Sequence, residues 1–182
     1  MPSPSGISKR ITSCLESLDT GDHESALIHL FPAVDKTAKK RRPKKSVGVR
    51  IKGFVADEER LISMLATRNS ITGLKFDGLS FPEVIYRFGK SAILHEGQLD
   101  PRLTFNNSGT LQIGAIWNFP ASYITAICIC TVAAPENRGE QIPQSYTAEV
   151  LGRNYDLNDL WGNRAEIRKR VDEFMDQPTG SK

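Results

Sequence analysis

The stretch RFGKSAILHEG, residues 87–97, places one of the three histidines of the chain at the end of an apolar run. In a helix, Arg87, Ser91 and His95 are spaced by four and share one edge. That edge borders the apolar side of the helix, so we expect His95 to be half covered. A neutral imidazole can accept a proton at pH 7, and a cation such as Arg87 or Lys90 can stabilise charge on a phosphate. The stretch is therefore a candidate catalytic site.

The same residues also fit an ordinary helix end. The helix dipole favours a histidine in the last turn, and Gly97 is a natural helix stop. On this interpretation His95 is buried and hydrogen-bonded to a backbone carbonyl, while Arg87 pairs with a carboxylate on the surface. The residue pattern alone leaves both interpretations open.

A second candidate site is a dense basic run. Nine lysines and arginines fall within residues 36–52, and we interpret residues 36–56 as a basic loop. Such a run can follow a phosphate backbone without reading sequence, although a solvated helix end followed by a linker has the same composition. The charges between Phe31 and Phe54 are not interleaved with aromatic residues, which favours phosphate contact over base stacking. The candidate nucleic-acid-binding residues are Lys39, Lys40, Arg41, Arg42, Lys44 and Lys45.

Composition limits the classes of protein that remain. The chain has 182 residues, of which 39% are hydrophobic and 25% charged, with a net charge of +3. These values predict one globular domain over residues 1–182. We find neither a signal peptide nor a membrane-spanning run, so we expect a cytoplasmic protein without a membrane partner. Three cysteines and three histidines lack metal-ligand spacing, so we expect no metal and no cofactor.

Several elements must position these residues. Apolar spacing predicts a first helix around Ile7 and Ile11, and Asp22 can cap a second helix. We expect the third helix to begin at Asp57, after the basic loop. Ser80 and Glu83 form a capping box that opens the helix running to His95 or Glu96.

The second half of the chain carries further signals. Residues 102–114 alternate around a turn and predict a β-hairpin. Residues 120–134 suit either a buried strand or a buried helix, and we choose the helix. Asn163 can cap a last helix, with Arg168, Lys169 and Arg170 turned outward. We expect disordered tails at residues 1–5 and 176–182. The sum is a mainly α fold, a helical bundle with a small β-hairpin insertion.

The helix ending in K-S-x-x-L-H-E-G, preceded by a helix that reads ALIHLFPAVDKTAKK, resembles the HEPN superfamily of bacterial helical domains. The resemblance implies a bundle of about four or five helices that dimerises. It also implies a metal-independent endoribonuclease of a defence or toxin system, or an inactive binding or scaffold relative, with RNA, a second copy and an antitoxin or defence protein as partners. His95 matches the signature histidine of that superfamily. Lys90 stands at the position of the signature arginine, whereas Arg87 is separated from His95 by seven residues, too many for the signature spacing.

Overall fold

The computed structural model describes residues 5–177 and is mainly α-helical, as the sequence predicts. The helices are α1 (Gly6–Asp19), α2 (His23–Arg41), α3 (Val47–Thr67), α4 (Phe81–Val84), α5 (Ala92–Glu96), α6 (Ser122–Ala133), α7 (Leu157–Leu160) and α8 (Arg164–Met175). The strands are β1 (Lys75–Phe76), β2 (Leu79–Ser80), β3 (Leu103–Asn106), β4 (Trp117–Pro120), β5 (Thr147–Val150) and β6 (Arg153–Asp156). They pair as β1–β2, β3–β4 and β5–β6 in sheets of two strands.

Helix α6 is the centre of the described fold, and it packs against α1, α2, α3 and α8. The sequence left residues 120–134 open between strand and helix, and the helix is confirmed. All but two of its twelve residues are buried, because an apolar helix of this length is covered on every side. None of the helices within residues 5–177 is long and apolar enough to cross a membrane.

Caps define the helix ends as the sequence indicates. The side chain of Asp22 accepts a hydrogen bond from the backbone of Ser25, and Asn163 does the same for Glu166. Ser5 caps α1 and also donates to Glu140, so the predicted tail at 1–5 is wrong at its last residue. The remainder of that tail, and residues 178–182 of the other, lie outside the described residues.

The predicted basic loop at 36–56 is wrong. Helix α2 continues to Arg41 and α3 already begins at Val47, so only residues 42–46 connect them. Burial explains both extensions: Thr37 and Ala38 are fully buried near the end of α2, and Ile51 and Phe54 are fully buried near the start of α3. Tertiary packing of these four side chains outweighs the charge density that suggested a loop.

The helix predicted to run from Ser80 to Glu96 is present but is not α-helical throughout. Between α4 and α5, residues Ile85–Ser91 form a π-helical segment, and Gly97 ends α5 in the left-handed conformation with φ 75°. We call this composite element helix 81–96. In a π-helix the hydrogen bonds close over five residues instead of four, so each residue turns through a smaller angle than in an α-helix.

The predicted hairpin at 102–114 is also wrong. Strand β3 pairs with β4 in parallel, with Leu103 opposite Trp117, and Gln112 forms only an isolated bridge to Asn118. Trp117 is almost fully buried, so residues 117–120 gain more from sheet pairing than Leu111 and Ile113, which are only half-buried. The Asn106 side chain holds the intervening turn, donating to Thr110 O and accepting from the Ser108 amide.

Of the three cations expected to face outward on α8, one does not. Arg170 is buried and donates hydrogen bonds to the carbonyls of Val150 and Leu151, next to the turn between β5 and β6. Arg168 and Lys169 are exposed, as expected. Arg170 instead attaches the β5–β6 sheet to α8.

Candidate nucleic-acid interface

His95 lies on the surface in the last turn of α5, and none of the residues of α5 is buried. Within residues 5–177 its side chain has no hydrogen-bond or ion-pair partner. The expectation that it is half covered is therefore wrong, as is the alternative expectation of a buried imidazole bonded to a carbonyl. The reason is that α5 projects past the core, and the adjacent Leu94 is 64% exposed. The imidazole is free to meet a ligand.

The other three residues of the candidate catalytic set lie in the π-helical segment. Arg87 is exposed, while Lys90 and Ser91 are half-buried. Lys90 Nζ lies 5.8 Å from the ring centroid of Tyr86, a cation–π geometry that limits the movement of the ammonium group. Among the described residues none of the three forms an ion pair within 4.0 Å.

The π-helical segment changes the angle between Arg87 and His95 around the helix axis. In a regular α-helix two residues eight positions apart differ by about 80° in direction around the axis. The smaller rotation per residue between Ile85 and Ser91 removes part of this difference, which brings the two residues towards one side of helix 81–96. The seven residues between Arg87 and His95 are therefore compatible with a shared surface.

Part of the basic run, in contrast, is neutralised by ion pairs. Arg41 donates to Glu136 at 2.7 Å and to Asp57 and Glu58 at 2.9 Å each. Its side chain is only 14% exposed, and the guanidinium also lies 4.8 Å from the ring centroid of Phe54. Arg41 thus holds α2, α3 and the segment after α6 together and is not available to a phosphate backbone.

The pKa shifts of Arg41 and Arg164 agree with this arrangement. Burial lowers the pKa of Arg41, but hydrogen bonds and charges from Glu136 and Asp57 outweigh it, so the net pKa lies above the ordinary value. Arg164 also contacts Glu58, and its pKa is lowered by burial and then by the charges of Arg41 and Arg168. The carboxylate of Glu58 therefore lies between two arginines at the junction of α2, α3 and α8.

Three of the other cations in the run are paired as well. Arg42 binds Asp57 at 2.7 Å, and Arg50 binds Asp35 through two hydrogen bonds of 2.6 and 2.9 Å. Lys40 reaches Glu140 at 3.5 Å. The candidates that are exposed and without an ion pair in the described part of the chain are Lys39, Lys44 and Lys45.

One residue that the sequence argument missed connects the two candidate sites. Tyr86 lies against Gly48 in the first turn of α3, where a Cβ on Gly48 would be 3.0 Å from the hydroxyl oxygen of Tyr86. Gly48 follows Lys45 by three residues, so the end of the connection between α2 and α3 lies near Tyr86 of helix 81–96. The only sequence signal was Gly48 itself, because a glycine within a helix can mark a close approach by another element.

The surroundings of Glu83 also indicate that α3 and helix 81–96 lie close together. Its pKa is lowered by hydrogen bonds from the backbone and side chain of Ser80, and further by the charges of Lys52 and Arg87. The carboxylate of Glu83 therefore interacts with the charges of Lys52 on α3 and Arg87 in the π-helical segment.

Among residues 5–177 no three side chains of the metal-binding types are grouped so that they could hold a metal ion.

The fold and this surface define a mainly α-helical protein with exposed cations on one helix. A family model described as Rv1289 matches residues 6–179, and the chain belongs to that family. It is similar to the uncharacterized protein Rv1289 of Mycobacterium tuberculosis (strain ATCC 25618 / H37Rv) and the uncharacterized protein Mb1320 of Mycobacterium bovis (strain ATCC BAA-935 / AF2122/97), each 26% identical over 190 residues. These alignments cover 91% of this chain and 87% of each relative. No solved structure matches it.

Proposed function

We propose that this protein binds RNA in the bacterial cytoplasm and cleaves it without a metal ion, on the exposed side of helix 81–96. The observation that carries the proposal is the state of His95: it is exposed and unpaired within the described residues, at the end of a helix whose neighbouring turns present Arg87 and Lys90. The resemblance of this helix to the HEPN superfamily supports the same function.

The proposed reaction is attack of an RNA 2′-hydroxyl on the adjacent phosphorus. The P–O bond to the 5′-oxygen of the next nucleotide breaks, leaving a 2′,3′-cyclic phosphate and a free 5′-hydroxyl. His95 accepts the proton of the attacking hydroxyl or donates one to the leaving oxygen. Arg87 or Lys90 stabilises the charge on the phosphorane, and Ser91, between them and His95, donates a hydrogen bond to a phosphate oxygen.

The proposal includes a homodimer. Among residues 5–177, Leu94 is the most exposed of the large hydrophobic residues, and it lies next to His95. Such a side chain gains by being covered in an interface. A second copy packed there would bring two copies of helix 81–96 close together. An antitoxin or defence-system partner rests on the resemblance alone.

A second function is favoured by one observation. No carboxylate in the described structure hydrogen-bonds to His95, and a catalytic histidine is commonly oriented by such a group. The alternative is therefore a non-catalytic, dimeric binding or scaffold domain that uses the same surface.

The test is cleavage of a mixed RNA substrate by the purified protein in EDTA, beside His95→Ala and the matched control His29→Ala. His29 lies on α2 and contacts Arg10 through Nδ1, away from helix 81–96. Cleavage by the wild type and by His29→Ala, but not by His95→Ala, supports the nuclease. Binding without cleavage in all three proteins supports the binding domain instead, and absence of both activities contradicts both functions.

A further inference from the structure

The basic run and helix 81–96 are two separate signals in the sequence but one surface in the structure. Tyr86 lies against Gly48 at the start of α3, and Lys90 lies over the ring of Tyr86. Lys45 is three residues from Gly48, so its Cα lies within about 11 Å of that contact by chain length alone. The surface is made of Lys44, Lys45, Tyr86, Arg87 and Lys90, and we call it the Tyr86 surface.

We propose that the Tyr86 surface binds single-stranded RNA and delivers it to His95, with Lys44 and Lys45 on the phosphate backbone and Tyr86 stacking on an unpaired base. This inference rests on the proposed function and adds to it the form of the substrate and the residues that hold it outside the reacting site.

Charge complementarity identifies the occupant. Lys44, Lys45 and Arg87 are exposed and have no ion pair among residues 5–177. Of the nearby acids, Asp35 is paired with Arg50, whereas Glu83 accepts hydrogen bonds from the neutral Ser80 and keeps its negative charge. Three unpaired cations against the single charge of Glu83 leave a net positive surface, which a polyanionic strand neutralises with release of counterions.

The aromatic ring selects the single-stranded form. Tyr86 is half-buried, so part of this residue remains exposed. In a duplex the base faces are already stacked on each other, whereas an unpaired base can stack on a tyrosine and gain about tenfold in affinity or more. The basic run is not interleaved with aromatic residues, which favours phosphate contact over stacking, but the ring of Tyr86 comes from another helix.

The test is binding of a fluorescently labelled, unstructured RNA oligonucleotide, followed by anisotropy as a function of salt, in the His95→Ala background so that the RNA stays intact. We compare Lys44→Gln/Lys45→Gln with the matched control Lys9→Gln/Lys75→Gln. The control removes the same charge from two exposed lysines elsewhere, one on α1 and one on β1. Losing two phosphate contacts should reduce the slope of log K against log salt by about 1.4 and leave the control unchanged.

Tyr86 is tested by a pair of variants in the same background. Tyr86→Phe keeps the ring and should bind like its parent, while Tyr86→Leu should bind about tenfold more weakly. The parent should also bind the oligonucleotide more tightly than the same sequence in a duplex. Thermal melting of each variant shows that the fold is retained.

The outcomes separate this inference from the function on which it rests. Equal salt slopes for the two lysine pairs, equal binding by Tyr86→Leu and Tyr86→Phe, or a preference for the duplex would each overturn the Tyr86 surface. The proposed nuclease function would still be supported after these results if the wild-type protein cleaves RNA and His95→Ala does not. Absence of any RNA binding overturns both.

Discussion

Gly89 lies directly against the ring of Phe31, so that a Cβ at Gly89 would be 2.7 Å from Phe31 Cζ. This contact joins α2 to the π-helical segment of helix 81–96. Any larger residue at position 89 must displace the ring or the helix.

We therefore predict that Gly89→Ala destabilises the protein by about 1–3 kcal/mol, the usual cost of adding an atom to a filled core. The free energy of unfolding in urea measures the effect. Gly114→Ala is the control, because nothing lies within 4 Å of a Cβ there. Equal effects of the two substitutions would show that the contact is unimportant, and Phe31→Leu should partly rescue Gly89→Ala.

The buried carboxylate of Glu58 gives a second prediction. Glu58 is 2% exposed and contacts both Arg41 and Arg164. Glu58→Gln leaves these guanidinium groups without their shared counter-charge and should cost about 3 kcal/mol or more. Asp35→Asn, which weakens the more accessible pair with Arg50, should cost about 1 kcal/mol or less. Denaturant unfolding of both variants provides the comparison, and a similar loss in the two would contradict the central role of Glu58.

Stability should decline in acid. Burial raises the pKa of Asp57, but hydrogen bonds from Arg42 and Arg41 outweigh it and hold the pKa below its ordinary value. Burial and the hydrogen bond from Arg41 have the same opposed effects on Glu136, again with a net lowering of the pKa. A group with a lowered pKa in the folded state stabilises the fold above its unfolded pKa, about 3.9 for Asp and 4.3 for Glu, and loses this as the pH falls.

The measurement is the urea midpoint of the wild type and of Asp57→Asn between pH 6 and pH 3. The wild type should lose stability as the pH falls through this range, and Asp57→Asn should be less stable at pH 6 with a shallower decline. Parallel curves for the two proteins would show that Asp57 does not contribute to the pH dependence.

The fourth prediction concerns the loop before β4. Asn106 donates to Thr110 O and Phe119 O and accepts from the Ser108 amide, so one side chain fixes both ends of this loop. Asn106→Ala should cost about 1–2 kcal/mol and speed amide exchange at residues 107–116. Asn107→Ala changes an exposed neighbour and should leave exchange in the loop unaltered. Unchanged exchange in Asn106→Ala would contradict the assigned role.

The sequence predicted the elements whose signal is local. The caps at Asp22 and Asn163 and the glycine stop at Gly97 lie where expected, because each depends on hydrogen bonds or backbone angles within a few residues. The start of α3 at Val47 and the pairing of β3 with β4 were missed. Both depend on which side chains a distant element covers, and residue patterning along one chain does not carry that information.

The candidate sites show the same difference between local signals and contacts with distant elements. Helix periodicity correctly placed Arg87, Ser91 and His95 on one helix, but the exposure of His95 follows from α5 extending beyond the core. Charge density identified the basic run. Which of its cations form ion pairs depends on carboxylates of other elements, among them Asp57 and Glu58 of α3 and Glu136 beyond α6. Tyr86 gave no signal of its own, since its role depends on a contact with Gly48.

The π-helical segment also determines how helix 81–96 would respond to a change in its length. A π turn holds one residue more than the α turn it replaces, so deletion of a single residue between Ile85 and Ser91 would restore a regular helix. Phe81 and Val84 would keep their places in the core, while the last turn, with His95, would be rotated relative to Arg87. Because Ile85, Phe88 and Gly89 of this segment are buried, such a deletion would alter the packing against the core together with the surface of helix 81–96.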